Sequence, residues 1–263
     1  MKTQISIIHN MARSGGTLIS KCLGCMQDIA MLSEIHPLTF AEPFNPLTQA
    51  IKYHNLLSDK DIEALKARGT INWEQAIRLI ARRAKGQNKH LLIRDWSHLD
   101  FTGTPWIDNP SYQLNTANVL KQYFDLKQIT TVRHPIDQWL SLEKLGLING
   151  KINIPTFLKG YLAFAEHAKT IGFVRFEDFT NEPNKYAKIL CQALDIPFDA
   201  EFINKWSSYT NITGDVSSNG PGRATLSNKI RPLKRRDPSS ELLQTFKRCP
   251  HFEPAIKLLN YSI

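Results

Sequence analysis

The sequence is short of cysteine, short of acid and free of long apolar runs, and each shortage excludes something. Four cysteines among 263 residues are too few for a disulfide framework. Cys22 and Cys25 form a C-x-x-C without a second pair to complete a zinc site. They fall where a helix is expected, so they read as small core residues. No stretch approaches the roughly 18 apolar residues of a membrane span, and the apolar part of MKTQISIIHN is too brief for a secretory signal. The expectation is a cytoplasmic protein with no transmembrane segment. Neither an internal repeat nor a low-complexity tract occurs.

The shortage of acid leaves 33 Lys and Arg against 24 Asp and Glu, a formal charge of +9 that favours anionic partners: nucleotides, phosphates, nucleic acid or an acidic membrane surface. The basic residues are uneven, with Arg223, Lys229, Arg231, Lys234, Arg235 and Arg236 crowded together. What is present is otherwise ordinary for a globular chain, 42% hydrophobic and 22% charged. The length suits one α/β domain, taken as residues 1–263.

Apolar and β-branched residues predict strands over Gln4–His9, Ile29–Leu32, His90–Ile93, Gln128–Val132 and Phe173–Phe176. Helical spacing covers Thr17–Gln27, Trp73–Lys85, Pro135–Leu145, Pro155–Lys169 and Pro183–Leu194, three of these opened by a proline suited to a first turn. Strands alternating with helices argue for a central parallel sheet covered on both faces. The segments His36–Asp61 and Ser207–Pro238 lack strong periodicity and read as irregular, with the character of functional lids.

The turn between the first strand and the first helix reads MARSGGT. Ser14, Gly15, Gly16 and Thr17 stand where backbone N–H groups and the helix dipole hold phosphate; the glycines admit a close approach, Arg13 adds charge, and Thr17 is expected to cap the helix. The loop has neither the leading glycine nor the lysine of G-x-x-x-x-G-K-S/T, which counts against ATP or GTP hydrolysis. A plain strand-to-helix turn would account for it equally well when it is read alone. At the end of the fourth strand, TTVRHPIDQWLSL places Arg133 eight residues before Ser141, and a guanidinium there can pair bidentately with a phosphate.

Together these segments resemble the two nucleotide motifs of sulfotransferases that use 3′-phosphoadenosine 5′-phosphosulfate (PAPS). Met11–Thr17 is similar to that family's 5′-phosphosulfate loop, close to P-R-S-G-S/T-T-L, with Ala12 where proline is usual. Arg133 and Ser141 resemble its 3′-phosphate motif, with His134 where many relatives carry Asp. A third segment, Ser217–Thr225, is similar to a glycine-rich basic loop over the 3′-phosphate and offers Arg223, although the common R-K-G triplet is absent. The resemblance extends over about residues 4–236 and implies a P-loop-like α/β fold, PAPS as donor and no metal. It also implies sulfuryl transfer to a hydroxyl or amine, with Arg13 stabilising the leaving phosphate.

Three residues are candidates for the base. Glu34 resembles the glutamate base of tyrosylprotein and some carbohydrate sulfotransferases, and His98, in WSHL, resembles the histidine of the K-T-H-L motif of the phenol and steroid enzymes. His36 is the third. Asp95 could orient a base or pair with an arginine, and Trp96, Phe101 and Trp106 could line an acceptor pocket. Arg231, Arg235 and Arg236 could contact the 3′-phosphate or attract an anionic acceptor. Acceptors of small-molecule, carbohydrate, lipid or peptide type all fit, and the oligomeric state has no signature. The rival readings are a P-loop kinase, disfavoured by the missing lysine, and a non-catalytic anion or nucleic-acid binding domain. Against the latter, no nucleic-acid module is visible and the basic residues are not interleaved with stacking aromatics, so no nucleic-acid partner is expected.

Overall fold

The computed structural model describes residues 2–67, 69–144, 152–214 and 229–263. Five strands, β1 (Thr3–Asn10), β2 (Ile29–Ile35), β3 (His90–Asp95), β4 (Phe124–Val132) and β5 (Phe173–Arg175), pair in parallel in the order β2-β3-β1-β4-β5. Parallel neighbours need crossovers, and helices supply them. In chain order the helices are α1 (Gly16–Gly24), α2 (Pro46–His54), α3 (Asp59–Lys66), α4 (Trp73–Gly86), α5 (His98–Thr102), α6 (Asn115–Leu120) and α7 (Pro135–Glu143). They continue with α8 (Ile154–Ile171), α9 (Phe176–Asn181), α10 (Pro183–Leu194), α11 (Phe202–Lys205), α12 (Ser240–Arg248) and α13 (Phe252–Leu258). No helix among the described residues is long and apolar enough to cross a membrane.

The strands bury both faces, and their side chains divide with a period of two. Ile5 and Ile7 of β1, Ala30 and Leu32 of β2 and Leu91 and Ile93 of β3 join a core with α2, α4, α7, α8 and α13. Ile8, Ile29, Met31 and Leu92, one position out of step, join a second core with α1, α10 and α11. Local chemistry sets the helix ends. Asn72 and Gln75 form a capping box on α4, Asn153 caps α8, and Pro135 and Pro183 open α7 and α10.

Three expectations change. Segment 36–61 is not irregular throughout: Asn45 caps α2 with Pro46 in its first turn, and Ser58 and Asp61 form a capping box on α3. Its prolines mark a helix start as well as a turn. The second strand runs to Ile35, so Glu34 lies inside β2 rather than after it, at a register shift between Ser33 and Ile35. Thr17 does not cap α1; Gly15 occupies that position in the left-handed region at φ 90°. Of the irregular stretch 207–238, residues 229–239 run without a helix or strand, while residues 215–228 lie outside the described residues.

The carboxyl ends of all five strands share one edge of the sheet. Chain order reverses direction around β1, so this edge carries the crevice where α/β folds hold ligands.

Candidate active site

The loop from Met11 to Gly15 turns tightly because two residues, Arg13 at φ 66° and Gly15 at φ 90°, take left-handed backbone conformations. Alternation of this kind aims successive N–H groups into one concavity. The Ser14 hydroxyl donates to the Met11 carbonyl at 2.8 Å, closing the loop on itself, so Ser14 contributes shape. Both glycines are required by contact. A Cβ on Gly15 would lie 2.0 Å from the Phe176 ring, and one on Gly16 would lie 2.4 Å from the Asn10 amide. The N–H groups of the first turn of α1 precede its first internal bond, from Ile19 N to Gly15 O, and are available to an anion.

Arg133 follows β4 directly and is 6% exposed. Its guanidinium donates to the Arg13 carbonyl at 3.2 Å and stands 5.1 Å over the Phe176 ring, and it forms no ion pair among the described residues. Burial pulls its pKa below the usual arginine value. Asp137 and Glu177 act on it from beyond ion-pair distance, so the buried guanidinium keeps donors for an anion. Ser141, two turns along α7, is buried and close by: Arg13 Nε donates to its Oγ at 3.0 Å. The structure thus brings Arg13, Arg133 and Ser141 together, and it turns the Arg13 side chain toward Ser141. The Gln138 amide donates to the Ala12 carbonyl at 2.7 Å, clamping the loop to α7.

Residues 229–238 lie across the start of α7. Asp137, buried there, accepts the Arg236 backbone N–H at 2.8 Å and pairs with Arg235 Nε at 2.6 Å. Arg235 therefore holds this strap in place, a role the sequence did not reveal. The strap forms one wall of a cavity of about 300 Å³, lined also by His134, Arg175, Glu177 and Tyr261. Arg223 lies outside the described residues.

On the other side of β1, at the ends of β2 and β3, the base candidates separate. His36 is fully committed: Nδ1 accepts the Leu38 N–H at 3.2 Å and Nε2 faces Asp100 at 3.2 Å, which makes it a structural residue of the β2 exit. Glu34 stands at φ 55°, where the bulge in β2 re-aims it. One carboxylate oxygen is 3.3 Å from Arg94, and the other accepts the Thr213 hydroxyl at 2.7 Å. His98 opens α5 with its ring edge-on to Trp96, and its imidazole makes no hydrogen bond to a described residue. Burial, reinforced by the nearby Arg94 charge, pushes its pKa down to about 3 and leaves the ring neutral.

Asp95 forms no ion pair with a described arginine. It is buried against His9 Nδ1 at 2.7 Å and accepts the Ser97 and Thr116 hydroxyls. Phe101 is likewise core, edge-on to Phe164 with no exposed surface. Trp96 and Trp106 do meet, together with Phe44, in an aromatic cluster beside His98 whose outer member, Trp106, is 57% exposed.

Arg94, the last but one residue of β3, went unassigned in the sequence. It is 5% exposed and reaches Thr17 Oγ1 at 3.2 Å and Ser33 Oγ at 3.3 Å as well as Glu34. The available signal was an arginine inside the apolar run HLLIRD.

No protein-family model and no curated protein matches this chain. Solved structures do. The sulfotransferase domain from the Synechococcus PCC 7002 olefin synthase matches with a TM-score of 0.66 at 18% identity, covering 100% of this chain and 97% of that one. The sulfotransferase domain from the curacin biosynthetic pathway matches at 0.63 with 16% identity, over 99% of both chains. A sulfotransferase from Alicyclobacillus acidocaldarius matches at 0.50 with 13% identity, over 100% and 98%. The chain therefore has the sulfotransferase fold.

Proposed function

Given a chain with the sulfotransferase fold, we propose that it transfers a sulfuryl group from PAPS to a hydroxyl or amine of an acceptor. The observation that carries this reading is the pair of anion sites flanking β1. One is the Arg13–Thr17 loop at its carboxyl end, and the other is Arg133 with Ser141 beyond β4, the two joined through Arg13. PAPS carries two separate phosphates, and a 3′-phosphate is what distinguishes it from ordinary nucleotides.

In the reaction the acceptor oxygen or nitrogen bonds to sulfur, the bond from sulfur to the bridging phosphate oxygen breaks, and adenosine 3′,5′-bisphosphate leaves. The acceptor proton passes to a base. Negative charge grows on the bridging oxygen, so fixed cations and N–H groups near it lower the barrier. The loop N–H groups and Arg13 supply these, and arginine, which keeps its proton, stabilises the leaving group without protonating it. His98 is favoured as base because its ring makes no bond to a described residue, whereas Glu34 is engaged by Arg94 and Thr213.

The test is thermal shift with adenosine 3′,5′-bisphosphate, AMP, ATP with magnesium and a DNA oligomer. Tight binding of the bisphosphate should raise the melting temperature by several degrees, because a ligand selective for the native state stabilises it by mass action. Stabilisation by ATP with magnesium alone would sink the proposal.

A further inference from the structure

A hydroxyl carries one proton, and which way it points depends on what occupies its oxygen. Thr17 stands in the first turn of α1, and Arg94 Nη2 donates to its Oγ1 at 3.2 Å. With that lone pair taken by a cation, the Thr17 proton turns away from Arg94. It meets no acceptor among the described residues, so it is left to face whatever anion the loop holds. The same guanidinium is fixed from several sides: Nη1 donates to Ser33 Oγ at 3.3 Å and to the Thr213 carbonyl at 3.2 Å, and Nε to Asn10 Oδ1 at 3.4 Å. An ion pair with Glu34 at 3.3 Å adds a further tie. Arg94 thus joins four segments, the end of β1, the bulge of β2, the start of α1 and the stretch at Thr213, through a planar group that cannot follow one partner without leaving another.

We propose that Arg94 is a positioning residue for the donor: it sets the Thr17 hydroxyl as a hydrogen-bond donor to the 5′-side phosphate and ties that hydroxyl to the Glu34 carboxylate. This rests on the reading of the loop as the PAPS site. Lysine at position 94 would keep the charge and the Glu34 pair, but a single ammonium cannot also hold Thr17, Ser33 and Asn10 in fixed directions.

The test is calorimetric binding of adenosine 3′,5′-bisphosphate to the wild type, Thr17→Val, Arg94→Lys and the double variant, with Arg94→Gln in reserve should Arg94→Lys fail to fold. Each single change should weaken binding about tenfold, the scale of one charge-assisted hydrogen bond. The double variant should be no weaker than either alone, because both remove the same interaction. Thr17→Ser, which retains the hydroxyl, should bind as the wild type does. Losses that multiply to about a hundredfold, or wild-type affinity in Arg94→Lys, overturn the inference while leaving the donor reading intact. A wild type that does not bind the bisphosphate overturns both.

Discussion

Arg13 Nε donates to Ser141 Oγ at 3.0 Å, linking residues 128 positions apart and tying the 5′-side loop to the helix of the second anion site. Arg133 donates to the Arg13 carbonyl at 3.2 Å, so the loop and the second site are joined at two points.

Discrimination between nucleotides should follow from this. Arg133→Ala is expected to abolish the preference for adenosine 3′,5′-bisphosphate over AMP, and Ser141→Ala to reduce it by about tenfold. Competition binding measures both. An unchanged preference in Arg133→Ala would remove that residue from the site.

Turnover should separate from binding at Arg13. Arg13→Ala is expected to lower single-turnover sulfuryl transfer by about a hundredfold or more and to weaken binding of the bisphosphate product far less. Labelled PAPS with an acceptor found by screening provides the assay. Normal turnover would refute the role of Arg13 in charge stabilisation.

The same assay ranks the bases. His98→Asn should cost about a hundredfold or more in rate and Glu34→Gln less, since the glutamate oxygens are already engaged by Arg94 and Thr213. The reverse order would move the proton to Glu34.

Stability should depend on two histidines. Burial pushes His134 down to about 4, with Arg235 adding to the effect, and His98 lies at about 3. Both remain neutral in the folded chain while the unfolded chain protonates them below about pH 6.5. The unfolded state thus binds more protons between about pH 6.5 and pH 4, so stability falls as pH falls through that window and is indifferent to these groups above it. For buried His134 the slope approaches about 1.4 kcal/mol per pH unit. Melting curves from pH 7 to pH 4.5 should be flatter for His134→Gln; parallel curves would contradict the assignment.

The loop glycines should resist substitution for a steric reason. Gly15→Ala must place a Cβ 2.0 Å from the Phe176 ring on a backbone at φ 90°, and a loss of about 2 kcal/mol or more is expected in denaturant unfolding.

Much of this architecture was legible because apolar periodicity reports which faces are buried. The parallel strands appeared as short apolar runs, and Pro183 to Leu194 matched α10 at both ends. The helices α2 and α3 were obscured by Pro37, Pro43 and Pro46, since a proline at a first helical turn and a proline in a loop look alike until the cap beside it is weighed. Asn45 and Ser58 were those caps. In the site, the loop and Arg133 with Ser141 were singled out by their resemblance to the sulfotransferase nucleotide motifs. The links between distant segments were not: Arg94 to Thr17, Arg13 to Ser141 and Asp137 to the strap depend on side-chain direction across strand ends, which spacing does not encode.

Glu34 carries a consequence for how the sequence can change. An ordinary L residue at φ 55° within a strand sits in strain that glycine, or to a lesser degree asparagine, would relieve. Relief of that strain by substitution would remove the brace that the carboxylate forms with Arg94 and Thr213 across the strand ends.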